Sequence, residues 1–343
     1  MILVTGGLGF IGSHTVVSLQ EKGHELLIVD DLSNATTDVL SGIEQASGIR
    51  PAFEKLDLQD AVGVKKLFET HSISGIIHFA AFKAVGESVQ KPISYYQNNL
   101  GSLLNLLAEI EKSTTPIPFI FSSSCTVYGE ADSLPINEDA AIKPAMSPYG
   151  NTKQIGEEII VDSAKAIKDF RAICLRYFNP IGAHPSIAIG ELPLGRPQNL
   201  VPFITQTAAG IFPKLTVFGN DYPTPDGTNI RDYIHVVDLA EAHVVALERI
   251  LTGASNDRYE VFNLGTGKGS SVLEVITSFE RVSAKKLAYT FGPKREGDVV
   301  AAYADTTKAN AELGWKTKRS LDEAVSSAWK WEHSCSLVSS TRR

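Results

Sequence analysis

Ser124, Tyr149 and Lys153 are the residues whose types and spacing best suit moving a proton. Tyr149 and Lys153 stand four apart in Tyr149-Gly-Asn-Thr-Lys153. On a helix, positions i and i+4 share a face, so the ammonium can lie beside the phenol. A free tyrosine titrates near about 10, and lowering that by roughly three units, about 4 kcal/mol, requires nearby positive charge. A tyrosinate made this way takes a proton from an alcohol, while Ser124 hydrogen-bonds the same oxygen and relays the proton. Ser124 closes the run Phe121-Ser122-Ser123-Ser124, behind an apolar stretch that puts it at a strand end. Taken singly, each residue also has a plain structural reading: Tyr149 as a surface aromatic, Lys153 as a solvated charge, Ser124 as a cap. What stands upstream decides between the two.

Directly after the first apolar run comes Thr5-Gly6-Gly7-Leu8-Gly9-Phe10-Ile11-Gly12, with glycines at 6, 9 and 12. Glycines let the chain turn tightly and let backbone N–H groups approach a pyrophosphate, and the positive end of the following helix favours the anion. A glycine turn alone is weak evidence, and its context strengthens it. The second apolar run ends in Val29-Asp30-Asp31, with Asp30 18 residues beyond Gly12. A carboxylate there accepts both hydroxyls of an adenine ribose and repels a 2′-phosphate, which favours NAD over NADP. A helix cap is its plain alternative. Asp57, in Lys55-Leu56-Asp57-Leu58, is a similar candidate for the adenine end, with a turn carboxylate as the alternative. With NAD in place, C4 of the nicotinamide accepts a hydride while Tyr149 takes the proton, and the ring's charge adds to that of Lys153.

The elements that must position these residues follow from hydrophobic patterning. Apolar runs at 2–4, 25–29, 75–79, 118–121 and 171–175 read as strands, with helix-like stretches near 10–22, 60–70, 98–112 and 149–168 between them. Strand alternating with helix implies right-handed crossovers and a doubly wound parallel α/β sheet, a Rossmann fold. The segment 180–235 is rich in Pro and Gly and reads as shaped loops around a ligand. Helical patterns return near 236–251, 270–280 and 320–332, and 260–265 looks like one more strand. Residues 1–179 are therefore expected to form an NAD-binding domain. Residues 180–343 are expected to form mainly a smaller mixed α/β substrate lobe, with segments near 230–265 returning to the first. Ser339 to Arg343 read as a loose tail.

Composition narrows the function classes. Hydrophobic residues at 43% and charged residues at 21% are ordinary for a globular chain of 343 residues, and a net charge of -7 offers no footprint for nucleic acid. Cys125, Cys174 and Cys335 are far apart, odd in number and without metal-ligand spacing, which argues against a disulfide framework and points to a reducing compartment, the cytoplasm. The opening apolar run is too short for a signal peptide, and no later run approaches the ~20 residues of a membrane span. His235 and His243 are not at ligand spacing, so no metal site is expected, and His14 and His78 read as packed residues with satisfied nitrogens. Cys125, beside Ser124, reads as a small buried thiol rather than a nucleophile.

The segments TGGLGFIGSH at 5–14, HFAAFKAVGESVQKP at 78–92, FSSSCTVYG at 121–129, SPYGNTK at 147–153, LRYFNPIGAHPS at 175–186, FGNDYPTPDGTNIRDYIHVVDLA at 218–240 and KREGDVVAAYAD at 294–305 cover much of the chain. Together they resemble the extended short-chain dehydrogenase/reductase family and, within it, the UDP-glucose 4-epimerases of galactose metabolism. The resemblance implies Tyr149 as the base, with Ser124 and Lys153 beside it. It implies cofactor contacts from Phe10, Ile11, Asp30, Asn34, Asp57, Leu58, Phe79, Ala80, Lys83, Asn98, Ser122 and Phe178. Substrate contacts are implied for Asn179, Asn199, Leu200, Phe218, Arg231, Tyr233, Arg295 and Asp298. The planar forks of Arg231 and Arg295 suit a nucleotide pyrophosphate, with a salt bridge to Asp232 or Asp298 as the alternative.

The implied reaction takes a hydride from C4 of the hexose, turns the 4-keto sugar and returns the hydride to its other face, so NAD stays bound. Ala302 occupies a pocket-rim position where related epimerases differ in side-chain size. A small residue there implies room for an N-acetyl group and hence UDP-GlcNAc and UDP-GalNAc as further substrates. A 4,6-dehydratase would need an acid and base after the serine, where this chain has Cys125 and Thr126. A UDP-glucuronate epimerase or decarboxylase and a non-enzymatic NAD-binding scaffold are the other readings. A homodimer through the helices near 98–112 and 149–168 is implied, although their apolar stripes could equally face the sheet.

Overall fold

The computed structural model describes residues 1–295 and 298–341. Its central sheet takes up β1 (Ile2–Thr5), β2 (Leu26–Asp30), β3 (Ala52–Lys55), β4 (Gly75–His78), β5 (Phe119–Ser124), β6 (Ala172–Tyr177) and, much later in the chain, β11 (Tyr259–Leu264). All seven are parallel, in the order β3-β2-β1-β4-β5-β6-β11. Both faces are covered, which is why most of these strands are near-continuous apolar runs rather than alternating ones.

On one face Ile2, Val4, Ile28, Ile77 and Ile120 pack against α1 (Phe10–Glu21), α2 (Asp38–Ser47) and α8 (Val236–Leu251). On the other, Leu3, Leu27, Ile76, Phe119 and Phe121 meet α3 (Ala61–Thr70), α5 (Pro92–Lys112) and α6 (Pro148–Ala166). The short α4 (Val85–Gln90) precedes α5. Strand order reverses between β1 and β4, so the two connections leave in opposite directions and open a crevice at the carboxyl ends. Gly6, Phe79 and Ala80 stand at its mouth, and both Ser124 and Tyr177 lie at the same end, paired in register.

A second cluster is built from short pieces. It joins β7 (Asn179–Ile181), α7 (Leu200–Ala208), β8 (Leu215–Phe218), β10 (Tyr233–His235), α9 (Val272–Ser283) and α10 (Leu321–Thr341) around Ile204, Val217, Val275, Phe279 and Val325. β9 (Ile230–Arg231) sits between β12 (Ser270–Ser271) and β14 (Ala301–Ala302), and β13 (Tyr289–Gly292) pairs with β8.

The segment 180–235, expected as loops, therefore holds a helix and several strands. Pro202 is tolerated because it is the third residue of α7, where the backbone N–H has no partner inside the helix. The helix expected from 98 starts at Pro92, whose fixed φ suits a first helical position. Ser339 to Thr341 continue α10 instead of forming a loose tail, and Arg342 and Arg343 lie outside the described residues.

The histidines need one correction. His78 Nδ1 lies 2.7 Å from Thr5 Oγ1, and His14 Nδ1 lies 2.7 Å from the Phe10 carbonyl, but His14 Nε2 is buried without a partner, as is His243 Nε2. Both contacts that α1 offers His14, the Phe10 carbonyl and Ser13 Oγ, fall on Nδ1, and the His184 ring centre stands 6.2 Å from its own. Burial pushes His14 and His78 down to about 3, and His235 and His243 down to about 4. Such a group is neutral when folded, whereas the unfolded chain takes up the proton at its ordinary 6.5. Stability is thus fully present above that value and is lost as the pH falls from there towards the folded values. Each of these histidines is expected to cost up to about 1.4 kcal/mol per pH unit below about 6.5. Urea unfolding should show a midpoint falling between about pH 6.5 and about pH 4.5, and a flat profile would contradict the neutral assignment.

Candidate active site

The turn from β1 into α1 is built for close approach. Gly6 adopts a φ of +66°, and a Cβ there would come within 2.7 Å of the Ala80 nitrogen. A Cβ on Gly12 would come within 2.3 Å of the Gly6 carbonyl oxygen. Gly9 caps α1 without a side chain, so nothing covers the first helical N–H groups beside Phe10 and Ile11. Asp30, at the end of β2, is buried and accepts from Leu8 N at 3.2 Å and Leu32 N at 2.9 Å. It caps no helix. Burial raises its affinity for a proton, opposed by those two backbone bonds. A turn with no room for side chains, an uncovered helix start and a carboxylate across from them fit an anionic dinucleotide of the NAD type.

Asp57 is exposed beyond the end of β3 and accepts from Gln59 N at 2.9 Å, the turn arrangement set out above as its alternative. Gln59 reaches Asn98 Oδ1 at 3.4 Å, and Asn98 donates to Asn99 Oδ1 at 3.0 Å. Asn99, which sequence reasoning passed over, accepts from Phe82 N at 2.8 Å and donates to Phe82 O and Thr152 Oγ1, both at 3.0 Å. It clamps the loop carrying Ala80 and Lys83 to α6. Leu58 is buried, whereas Asn34 and Lys83 are exposed on their loops.

Tyr149 and Lys153 lie in the first two turns of α6, which Ser147 starts by accepting from Gly150 N at 3.1 Å. Both side chains are buried, and both turn towards the end of β5. Lys153 Nζ donates to the Ser122 carbonyl at 2.7 Å, 4.8 Å from the Phe121 ring centre and 6.0 Å from that of Tyr149. Ser124 lies beside Tyr149, and its Oγ accepts from Thr126 N at 3.3 Å, so it caps the turn Cys125–Tyr128 as well. Tyr177, not singled out by its sequence position, stands 2.5 Å from Ser122 Oγ.

Burial pushes the Tyr149 phenol well above its usual range, and the neighbouring Ser124 hydroxyl pulls the other way. Lys153 is pushed down to about 8 by burial, opposed by Cys174 and Glu157. The expected lowering, by Lys153 together with a nicotinamide ring, concerns the cofactor-bound site; in the protein by itself burial keeps the phenol up. Additional positive charge must come from what binds against the pair.

On the facing lobe Arg231 and Arg295 converge on Asp298. Arg295 Nε donates to Asp298 Oδ2 at 2.8 Å, and Arg231 Nη2 stands 3.7 Å from Oδ1. Asp232 takes no part, since it accepts from Thr266 N at 2.8 Å and from Gly267 and Ala304 N–H groups. Phe218 lies under the Arg295 guanidinium at 5.1 Å, and Tyr233 is buried close to both arginines. Of the motif around Arg295, Glu296 and Gly297 lie outside the described residues. Ala302 pairs alongside Arg231 in parallel strands and packs on the cluster holding Val127 and Phe178. Asn179 donates its backbone N–H to Asp232 O at 2.9 Å. Asn199, just ahead of Leu200 and α7, donates to Glu191 Oε1 at 2.6 Å, and Lys83 Nζ stands 3.8 Å from the same oxygen. Glu191 has no spacing that would have marked it. Cys125 is half-buried rather than buried, and its thiol is pushed up to about 12, which rules it out as a ready acid or nucleophile.

This fold and this Ser, Tyr and Lys arrangement define an extended short-chain dehydrogenase/reductase. A family model described as GDP-mannose 4,6 dehydratase matches residues 3–328. UDP-glucose 4-epimerases from Erwinia amylovora and Bacillus subtilis are each 48% identical, the first covering 96% of this chain and 97% of its own, the second 97% of each. A crystal structure of UDP-glucose-4-epimerase from Stenotrophomonas maltophila, with bound NAD and formylated UDP-arabinopyranose, superposes with a TM-score of 0.94 at 44% identity, covering 98% of this chain and 99% of that one. The chain belongs to the UDP-glucose 4-epimerase family.

Replacing Asn99 by Leu would strip Phe82 and Thr152 of their partner. The expected loss is about 2–4 kcal/mol, read as a lower urea midpoint. An unchanged midpoint would show that Asn99 does not hold the loop.

Proposed function

We propose that this chain interconverts UDP-galactose and UDP-glucose with a tightly held NAD, Tyr149 being the base. The observation that carries the reading is a buried tyrosine beside Ser124 on the same helix face as a buried lysine, at the carboxyl end of the sheet beside the glycine cradle. The NAD and UDP-sugar of the Stenotrophomonas relative support the two ligands. Residues 1–179 would carry the cofactor, held by the Gly6–Gly12 turn, Asp30, Asp57 and Asn98, with Lys153 and Phe178 at its reactive end. Residues 180–343 would carry most of the substrate contacts.

An NAD held there would supply hydride transfer and a positive charge in addition to that of Lys153. Tyr149 accepts the proton of the C4 hydroxyl through its phenolic oxygen, and Ser124 donates a hydrogen bond to the same sugar oxygen. Lys153, held by the Ser122 carbonyl, steadies the phenolate as it forms. On return, Tyr149 gives the proton back to the C4 oxygen, whichever face of the keto sugar is turned towards the cofactor. Arg231 and Arg295 hold the pyrophosphate, Asp298 keeping their forks aligned, and Phe218 packs beside them. The 4,6-dehydratase reading needs an acid and a base after Ser124, and neither Cys125 nor Thr126 supplies one.

Two further points belong to the same reading. Ala302, beside Arg231, leaves space for an N-acetyl group, so UDP-GlcNAc and UDP-GalNAc are substrates too. The chain forms a homodimer in the cytoplasm through α5 and α6. Most of the apolar stripe of α5 faces the sheet, but Ile93 and Leu104 remain exposed at 68% and 50% and are available to a second copy.

Purified protein given UDP-galactose and no added NAD should yield UDP-glucose, and Tyr149→Phe and Lys153→Met should each cut kcat by about 10²–10⁴-fold. Conversion that depended on added NAD, or survived Tyr149→Phe, would overturn the proposal. Ala302→Tyr should abolish N-acetylhexosamine turnover and spare UDP-galactose to within about threefold in kcat/KM. Undiminished turnover of UDP-GlcNAc by that variant would remove Ala302 from this role.

A further inference from the structure

Three consecutive serines of β5 each meet a different turn of α6. Ser124 lies beside Tyr149, the Ser122 carbonyl accepts from Lys153 at 2.7 Å, and Ser123 Oγ donates to Glu157 Oε1 at 2.5 Å. The helix residues recur every four positions and so share one stripe. The third tie is of another kind, because Glu157 is buried and charged. Arg176 of β6 grips its carboxylate through Nε, at 3.0 Å to Oε1 and 3.2 Å to Oε2, and through Nη2 at 2.5 Å to Oε2. Arg176 Nη1 donates to Tyr128 Oη at 2.9 Å, and Tyr128 donates to Asn263 Oδ1 at 2.7 Å. The carboxylate is therefore held by three donors from two strands and cannot turn away from the helix stripe.

Burying an ion pair is expensive, and this sheet could close over apolar residues instead. A stability role alone does not explain why the pair stands one helical turn beyond a lysine that must itself be charged without water. The groups facing Lys153 bear this out. On its own helix they are Tyr149 and Glu157. β6 contributes Cys174 and Arg176, and β4 contributes His78, which burial keeps neutral. Tyr95 of α5 and Cys125 and Tyr177 face Tyr149, and Tyr259 of β11 faces Cys174. Glu157 is the anion among them. The cysteine thiols and the tyrosine phenols are all pushed up by burial and stay neutral.

We propose that Glu157 is a positioning residue for Lys153: clamped by Arg176 and Ser123, it supplies the buried negative charge that keeps the lysine an ammonium and fixes α6 against β5. The role of Lys153 in turnover rests on the epimerase reading, whereas the link between Glu157 and Lys153 does not.

The test is Glu157→Gln, which keeps an acceptor for Ser123 and removes the charge. Lys153 is titrated by NMR of lysine-labelled protein, its resonance assigned with Lys153→Met, and kcat and KM are followed against pH. The Lys153 midpoint should fall by about one unit, a roughly tenfold loss of proton affinity. The alkaline limb of kcat should move down with it while KM changes less than about threefold. An unmoved Lys153 midpoint, or a fall in kcat equal at every pH, would overturn the proposal. Should the single variant fail to fold, Glu157→Gln/Arg176→Met removes both charges, and its Lys153 midpoint should still lie below that of native protein. A native midpoint there would likewise overturn it. Native protein without epimerase activity would sink the reading of function alone, since the titration is independent of turnover.

Discussion

Withdrawing a phenol and an ammonium from water on a single helix face is the constraint around which this structure is arranged. Neither Tyr149 nor Lys153 can rely on solvent, so each needs a partner from the protein. Lys153 takes the Ser122 carbonyl and Tyr149 lies beside Ser124, both in β5, and their geometry therefore depends on how α6 lies along that strand. The protein leaves the phenol harder to ionise than in water, which ties its basicity to the arrival of a cationic ring.

The sheet supplies the rest of the setting. Reversal of strand order between β1 and β4 opens the crevice, and tight glycine contacts let backbone reach into it where side chains would block it. Ser124 lies two strands away from β1, in the same plane and at the same end. The opposing wall comes from short strands, where Arg231 and Ala302 are neighbours across β9 and β14 although they are far apart in sequence. A fork held by Asp298 and a small residue beside it thus sit on one rigid ladder. Glu191 bridges towards Asn199 and Lys83, linking the two sides through one half-buried carboxylate.

The residues that could be read in advance share a trait: their signal is local. Apolar runs marked β1, β2, β4, β5 and β6, and the glycine turn was visible because its spacing lies within one loop. Helix α2, whose amphipathic pattern buries Leu40 and Ile43, and the short α4, with Val85 and Val89 exposed, are not among the helical stretches read from the sequence. The pieces between 180 and 235 looked like loops because two- to four-residue strands carry no period of their own and exist only through their pairing partners.

By itself the sequence determined the alternation of strand and helix, the cradle, and the four-residue step from Tyr149 to Lys153, since each follows from backbone geometry over a few residues. Tertiary structure alone decided that burial outweighs Lys153 at the phenol, that Asp298 rather than Asp232 joins the arginines, and that Asn99, Tyr177, Glu157 and Glu191 matter. The physical reason is that proton affinities and hydrogen-bond partners depend on which distant segments exclude water from one another, and no spacing along the chain encodes that.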